Sequence, residues 1–228
     1  MKHPRPLDIQ GIGMTSQRTR NRLIARLREK GISHEAVLEV MSKKVPRHLF
    51  MDEALASRSY EDAAIPIGYG QTISQPFIVA RMTELLLASP HPLNKILEVG
   101  TGSGYQAAIL GALIQQVWTV ERIEPLYKQT RQLIDELGYR NIHMKLSDGT
   151  WGLESQAPFD AILVTAASEE VPDSLLKQLD INARLIIPVG KQGTPQCLQV
   201  ITRLSETDYH TENHEAVQFV PLLKDIFH

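Results

Sequence analysis

The nine residues Ile96-Leu-Glu-Val-Gly-Thr-Gly-Ser-Gly104 constrain the fold of this chain more than any other stretch. An apolar run enters a turn of alternating glycines, and Tyr105-Gln-Ala-Ala-Ile-Leu110 follows with helical spacing, so a strand, a sharp turn and a helix are expected in succession. Gly100, Gly102 and Gly104 let the backbone reverse and let a ligand approach main-chain N–H groups at the positive end of the helix. Such a unit suits a nucleoside cofactor.

From residue 95 to residue 189 strands and helices alternate. Strands are expected over 95–100, 116–121, 142–146, 159–166 and 184–189, and helices over 105–114, 125–137 and 172–179. This pattern predicts an α/β, Rossmann-like fold with a mostly parallel sheet and helices on both faces. The end differs, because 198–204 and 216–222 are strand patterns with no helix between them, which predicts an antiparallel edge. Upstream, helical spacing covers 15–30 and 33–44, with Ser33 placed as an N-cap, and a further helix is expected over 76–89. Residues 65–76 carry too much Gly and Pro for a regular element and read as a functional loop. Residues 1–14 read as a flexible leader. The remainder, 15–228, reads as one domain, with N-terminal helices and a substrate loop over 15–92 and a cofactor-binding sheet over 93–228.

Composition bounds the partners. A formal net charge of -2 gives no general attraction to nucleic acid or anionic lipid. Eight Lys and Arg stand in residues 1–30, but no aromatic residue interleaves them, so they read as a solvated helix face rather than a nucleic-acid patch. No apolar run approaches the ~18 residues of a membrane span. The single Cys197 reads as buried strand filler and suits a reducing compartment, so a cytoplasmic location is expected. The histidines are scattered, and His210 and His214 fall in a polar stretch, 206–215, that reads as a solvated loop. No metal is expected. Trp118 and Trp151 read as packing residues.

The cofactor can be narrowed. A dinucleotide fingerprint requires Gly-x-Gly-x-x-Gly, and Tyr105 stands where its last glycine belongs. Glu121 ends the second strand, 21 residues after Gly100, where a carboxylate accepts hydrogen bonds from ribose hydroxyls. Asp148 follows the third strand in Ser147-Asp-Gly149, within reach of an adenine amino group. A plain turn, a solvated strand end and an Asx-turn are the alternatives for these features taken singly. Together and in this order they resemble the S-adenosylmethionine-dependent methyltransferase fold.

Three longer segments make the resemblance specific: Gly70-Gln-Thr-Ile-Ser-Gln-Pro76, Leu97-Glu-Val-Gly-Thr-Gly-Ser-Gly-Tyr-Gln106 and Phe159-Asp-Ala-Ile-Leu-Val-Thr-Ala-Ala167. With Val45-Pro-Arg47, Ile187-Pro-Val-Gly190 and Phe219-Val-Pro-Leu222, the chain resembles the protein-L-isoaspartate O-methyltransferase family over residues 20–224. That resemblance implies transfer of the methyl group of S-adenosyl-L-methionine to the free α-carboxylate of L-isoaspartyl residues in damaged proteins and peptides. The ester then closes to a succinimide that reopens partly to aspartate. It implies Ser74 as the active-site serine, and Thr72, Ile73, Gln75, Glu98, Gly100, Thr101, Gly102, Ser103, Gly104, Glu121, Asp148 and Gly149 as cofactor contacts. It further implies Ile65, Val220, Pro221 and Leu222 as substrate contacts, in a monomer with no metal, nucleic-acid or membrane partner.

The chemistry is consistent with the absence of an acid–base pair in the sequence. A carboxylate of ordinary pKa near 3.9 is already ionised at neutral pH, so only orientation is required of the protein. Ser74, two residues before Pro76, is equally well placed to cap a helix. A methyltransferase with a small-molecule acceptor is the alternative reading. The family's two-glycine turn reads Asp180-Ile-Asn-Ala-Arg184 here, with Asn182 able to supply a left-handed residue.

Overall fold

Period-two burial on both faces is what organises the sheet. In β3 (Lys95–Val99), β6 (Phe159–Val164) and β7 (Leu179–Val189), Ile96, Ala161, Leu163 and Ile186 face one core, while Leu97, Val99, Ile162, Val164, Leu185 and Ile187 face another. Strands buried on both sides read as continuous apolar runs, as parallel strands do. The computed structural model describes residues 11–228, so residues 1–10 of the expected leader lie outside the described residues, and Gly13–Thr15 form a short 3-10 turn.

With β4 (Gln116–Glu121), β5 (Ile142–Leu146), β8 (Gln196–Arg203) and β9 (Tyr209–Val217), the sheet has seven strands in the order β5-β4-β3-β6-β7-β8-β9. The first five pair in parallel, and β7–β8 and β8–β9 pair antiparallel. The first core is covered by α1 (Gln17–Glu29), α2 (Glu35–Glu39), α3 (Pro76–Leu87), α4 (Tyr105–Gly111) and α5 (Glu124–Glu136). The second lies under α6 (Asp173–Lys177) and short turns. The α/β expectation with an antiparallel edge therefore holds.

Several local expectations are corrected. Residues 65–73 are regular: β1 (Ile65–Gly68) and β2 (Gln71–Ile73) form an antiparallel hairpin. Its two-residue connection, Tyr69-Gly70, has φ of 51° and 68°, the pairing that matches strand twist. Ser33 does not cap α2. His34 holds that position, while the Ser33 N–H, the Ser33 hydroxyl and the His34 N–H all donate to Glu84 Oε1 on α3, at 2.8, 3.1 and 2.9 Å. After α2 the chain widens into a π turn, Val40–Lys44.

The basic N-terminal face is only partly solvated, since Arg20 is 3% exposed with its guanidinium 6.0 Å from the Tyr60 ring centroid. The last strand starts earlier than expected, so His210 and His214 lie in β9, an edge strand with one wet face, and not in a loop. Residues 218–222 leave the sheet, and Pro221 bridges Ala167. Strand β7 begins at Leu179 and carries Asn182 at φ 65° where its register with β6 slips, which meets the expectation of a left-handed residue. Trp118 packs on His143 with ring centroids 4.6 Å apart, but Trp151 is 69% exposed and is not a packing residue.

Candidate active site

The parallel order reverses at β3, which has β4 on one side and β6 on the other, and a crevice must open at the carboxyl ends of those strands. An open cavity lies there. Its floor is the glycine turn. Gly100 has φ 96°, and a Cβ on it would fall 2.5 Å from Thr165 Oγ1, so only glycine fits. The Thr165 hydroxyl donates to the Gly100 and Val99 carbonyls at 2.6 and 3.0 Å, locking the turn to the end of β6.

The acid at the end of β4 is committed to the same turn. Glu121 Oε2 accepts from the Gly102 N–H, and Oε1 from the N–H groups of Arg122 and Ile123, each at 2.9 Å. Oε1 is filled by its two bonds, and Oε2 retains one acceptor site in the cavity that Glu121 lines. Glu98 lies one layer below, fully buried. Its Oε2 accepts from Thr119 Oγ1 at 2.5 Å, Thr119 Oγ1 lies 2.7 Å from Thr101 Oγ1, and Oε1 has no partner among the described residues. Burial pushes the Glu98 carboxyl up to about 8, outweighing the Thr119 hydrogen bond, and the Glu121 charge adds to the rise.

The roof is the β1–β2 hairpin with Ser74 and Gln75, leading into α3. Ser74 lines the cavity, and its hydroxyl makes no hydrogen bond among the described residues. The helix end it was placed to cap is served from elsewhere: the Phe77 N–H donates to Asp62 Oδ1 at 2.9 Å, and Asp62 Oδ2 pairs closely with Lys30. Beneath the roof, Arg47 is fully buried and donates Nη1 to the Ser74 carbonyl at 2.7 Å and Nη2 to the Ala63 carbonyl at 3.2 Å. Its guanidinium carbon stands 5.2 Å from the Tyr105 ring centroid. Burial lowers the Arg47 pKa from 12.5 to about 10, against charge interactions with Tyr105, Tyr60 and Asp62 that raise it. The guanidinium thus ties the serine loop to the first turn of α4.

Of the residues expected at the site, Thr72, Ile73 and Ser74 meet Gly100 to Ser103, Glu121, Gly149 and the Val220-Pro-Leu222 segment around this one cavity. The others stand back from its wall. Gly104 is the N-cap of α4. The Gln75 amide donates to the Asp62 carbonyl at 3.0 Å. Ile65 is 0% exposed, because alternation along β1 turns it into the core, which corrects its placement as a substrate contact. Asp148 makes the Asx-turn alternative real, since Oδ1 accepts from the Thr150 N–H at 2.8 Å and hydroxyl at 2.7 Å, while Oδ2 accepts from the Asp225 N–H at 2.8 Å. Burial pushes the Asp148 carboxyl up, but these bonds hold it below the usual range.

Sequence reasoning missed Thr165, Asp62 and Arg47. Thr165 had a signal, as it closes a strand expected beside the glycine turn. Asp62 and Arg47 act on residues 15 and 27 positions away, which no local pattern reports. Among the described residues no group of three or more His, Cys, Asp or Glu is placed to hold a metal ion, and no helix is long and apolar enough to cross a membrane.

The chain matches the family model for protein-L-isoaspartate(D-aspartate) O-methyltransferase over residues 17–226. It is 56% identical over 210 residues to a protein-L-isoaspartate O-methyltransferase of Hahella chejuensis, covering 92% of this chain and 98% of that one. It is 50% identical over 221 residues to one of Saccharophagus degradans, covering 96% and 98%. A Plasmodium falciparum protein crystallised as a candidate protein-L-isoaspartate O-methyltransferase, in complex with S-adenosyl-L-homocysteine, superposes with a TM-score of 0.77 at 26% identity, over 90% of this chain and 99% of that one.

Proposed function

The chain belongs to the protein-L-isoaspartate(D-aspartate) O-methyltransferase family, and from that premise we propose how its cavity methylates the free α-carboxylate of L-isoaspartyl residues in damaged proteins and peptides. The residues present fit S-adenosyl-L-methionine. The cradle excludes a Cβ at Gly100, Glu121 Oε2 keeps one acceptor site for a ribose hydroxyl, and Gly149 offers the cavity a side-chain-free surface for a flat base. When bound, S-adenosyl-L-methionine supplies an electrophilic methyl group. The acceptor carboxylate is ionised at neutral pH, so no protein group has to remove a proton.

The work left to this chain is orientation. Thr72 and Ile73 hold the roof over Gly100 to Ser103, Val220 to Leu222 form the wall opposite, and the Ser74 hydroxyl donates to a carboxylate oxygen. Glu98, Gly104, Gln75 and Asp148 act by holding these residues in place. The observation that carries this reading is the Ser74 hydroxyl, which lines the cavity without a partner among the described residues while Asp62 performs the capping. We further read residues 15–228 as one cytoplasmic methyltransferase domain that acts as a monomer without nucleic acid. A single core joining α1–α3 to the sheet and a net charge of -2 support this.

Matched peptides differing only in isoaspartyl or aspartyl linkage, incubated with methyl-labelled S-adenosyl-L-methionine, test the assignment. Label is expected on the isoaspartyl peptide alone, and equal or absent labelling of both overturns it.

A further inference from the structure

We propose that Tyr69, at the tip of the roof hairpin, docks the polypeptide that carries the reactive residue by packing against an apolar substrate side chain several positions away; this rests on the acceptor assignment above. Tyr69 and Gly70 form a two-residue turn with φ of 51° and 68°. Such turns normally hold Asn-Gly or Asp-Gly, and a bulky side chain in the left-handed region is disfavoured. Nothing among the described residues offsets that strain. The ring is 51% exposed, and the phenol makes no hydrogen bond, ring contact or ion pair among the described residues; only the Tyr69 carbonyl is engaged, by Gln71 Nε2 at 3.3 Å. Strain of this kind persists where something other than folding uses it.

Its position says what could use it. The same hairpin presents Gln71, Thr72 and Ser74 to the cavity. Five steps along the chain, three of them through β2, lead from Tyr69 to Ser74, a reach of at most roughly 17 Å at ~3.4 Å per step. An extended peptide rises by a similar step, so a side chain three to five residues from the methylated one passes under the ring. Leu223, 45% exposed, lines the cavity on its other wall and adds a second apolar surface at the mouth. A small acceptor seated at Ser74 cannot span this distance, whereas a polypeptide can. An amphipathic ring suits a partner whose sequence varies, since it packs broadly and keeps its hydroxyl wet.

The test uses two isoaspartyl peptides, one with a single glycine on each side of the isoaspartyl residue and one with six residues on each side, leucines among them. The parent protein is expected to show a KM about tenfold lower for the long peptide. Tyr69→Asn should raise that KM about tenfold while leaving kcat, the KM of the short peptide and the KM of S-adenosyl-L-methionine unchanged. Its Tm should equal or exceed the parent's, because asparagine relieves the turn. Tyr69→Phe should retain the long-peptide KM. An unchanged long-peptide KM in Tyr69→Asn, an equal rise for both peptides, or a rise for S-adenosyl-L-methionine overturns the inference alone. Methylation of neither peptide by the parent overturns the acceptor assignment and this inference with it.

Discussion

Replacing Glu98 by glutamine should flatten a pH dependence that this single buried carboxyl imposes on the fold. Glu98 is fully buried, one oxygen has no hydrogen-bond partner among the described residues, and burial pushes its pKa from 4.5 up to about 8. The folded chain therefore binds an additional proton between those two values. Stability from this group is full below pH 4.5, drains by about 1.4 kcal/mol per pH unit as pH rises, and levels off above pH 8, a total of about 5 kcal/mol. Glutamine keeps the shape and cannot ionise. Its amide N–H in place of the unpartnered oxygen costs about 1–3 kcal/mol at every pH, so the net change at any one pH mixes that constant cost with the titration. The slope is decisive. Denaturant unfolding of both proteins at pH 5, 6, 7 and 8 should give a stability difference, Glu98→Gln minus parent, that rises by about 4 kcal/mol across the range. A difference constant to within about 1 kcal/mol would show instead that Glu98 titrates alike in the folded and unfolded chain.

Ser74→Ala should lower kcat for an isoaspartyl peptide by roughly 10²-fold through lost orientation, with stability within about 0.5 kcal/mol of the parent, since the hydroxyl makes no hydrogen bond among the described residues. Comparable losses of folding and activity in calorimetry and initial-rate assays would contradict this. Arg47→Ala strands the Ser74 and Ala63 carbonyls and should cost about 3–5 kcal/mol in denaturant unfolding. Arg47→Lys should cost less and recover part of kcat, and equal losses in both would show that the guanidinium fork does not hold the loop. Gly100→Ala should destabilise by about 2 kcal/mol or more and abolish calorimetric binding of S-adenosyl-L-methionine, because the new methyl collides with Thr165 in a left-handed backbone.

Much of the fold was legible in local pattern. The strand, glycine turn and helix over 96–110 lie in one continuous stretch, and period-two and helical spacing located most of the sheet and its helices because burial repeats with the element's own period. The hairpin at 65–73 was illegible because a tyrosine occupies a turn position that usually advertises itself as asparagine. The placement of β9 was missed because an edge strand with a wet face looks like a polar loop.

At the site the same boundary holds. The sequence alone pointed to a nucleoside cofactor through the Gly100–Gly104 turn, which depends only on neighbours, and to the methyl donor and its facing loop through the order of Glu121, Asp148 and the Thr-Ile-Ser-Gln-Pro run along the chain. Whether Ser74 caps a helix or faces the substrate was undecided at that level, as both roles favour the same residue in the same place. Only the tertiary structure settled that the cap is Asp62 and that Arg47 holds the loop from below. A hydrogen bond needs its partner at about 3 Å in space, and separation along the chain carries no information about that distance.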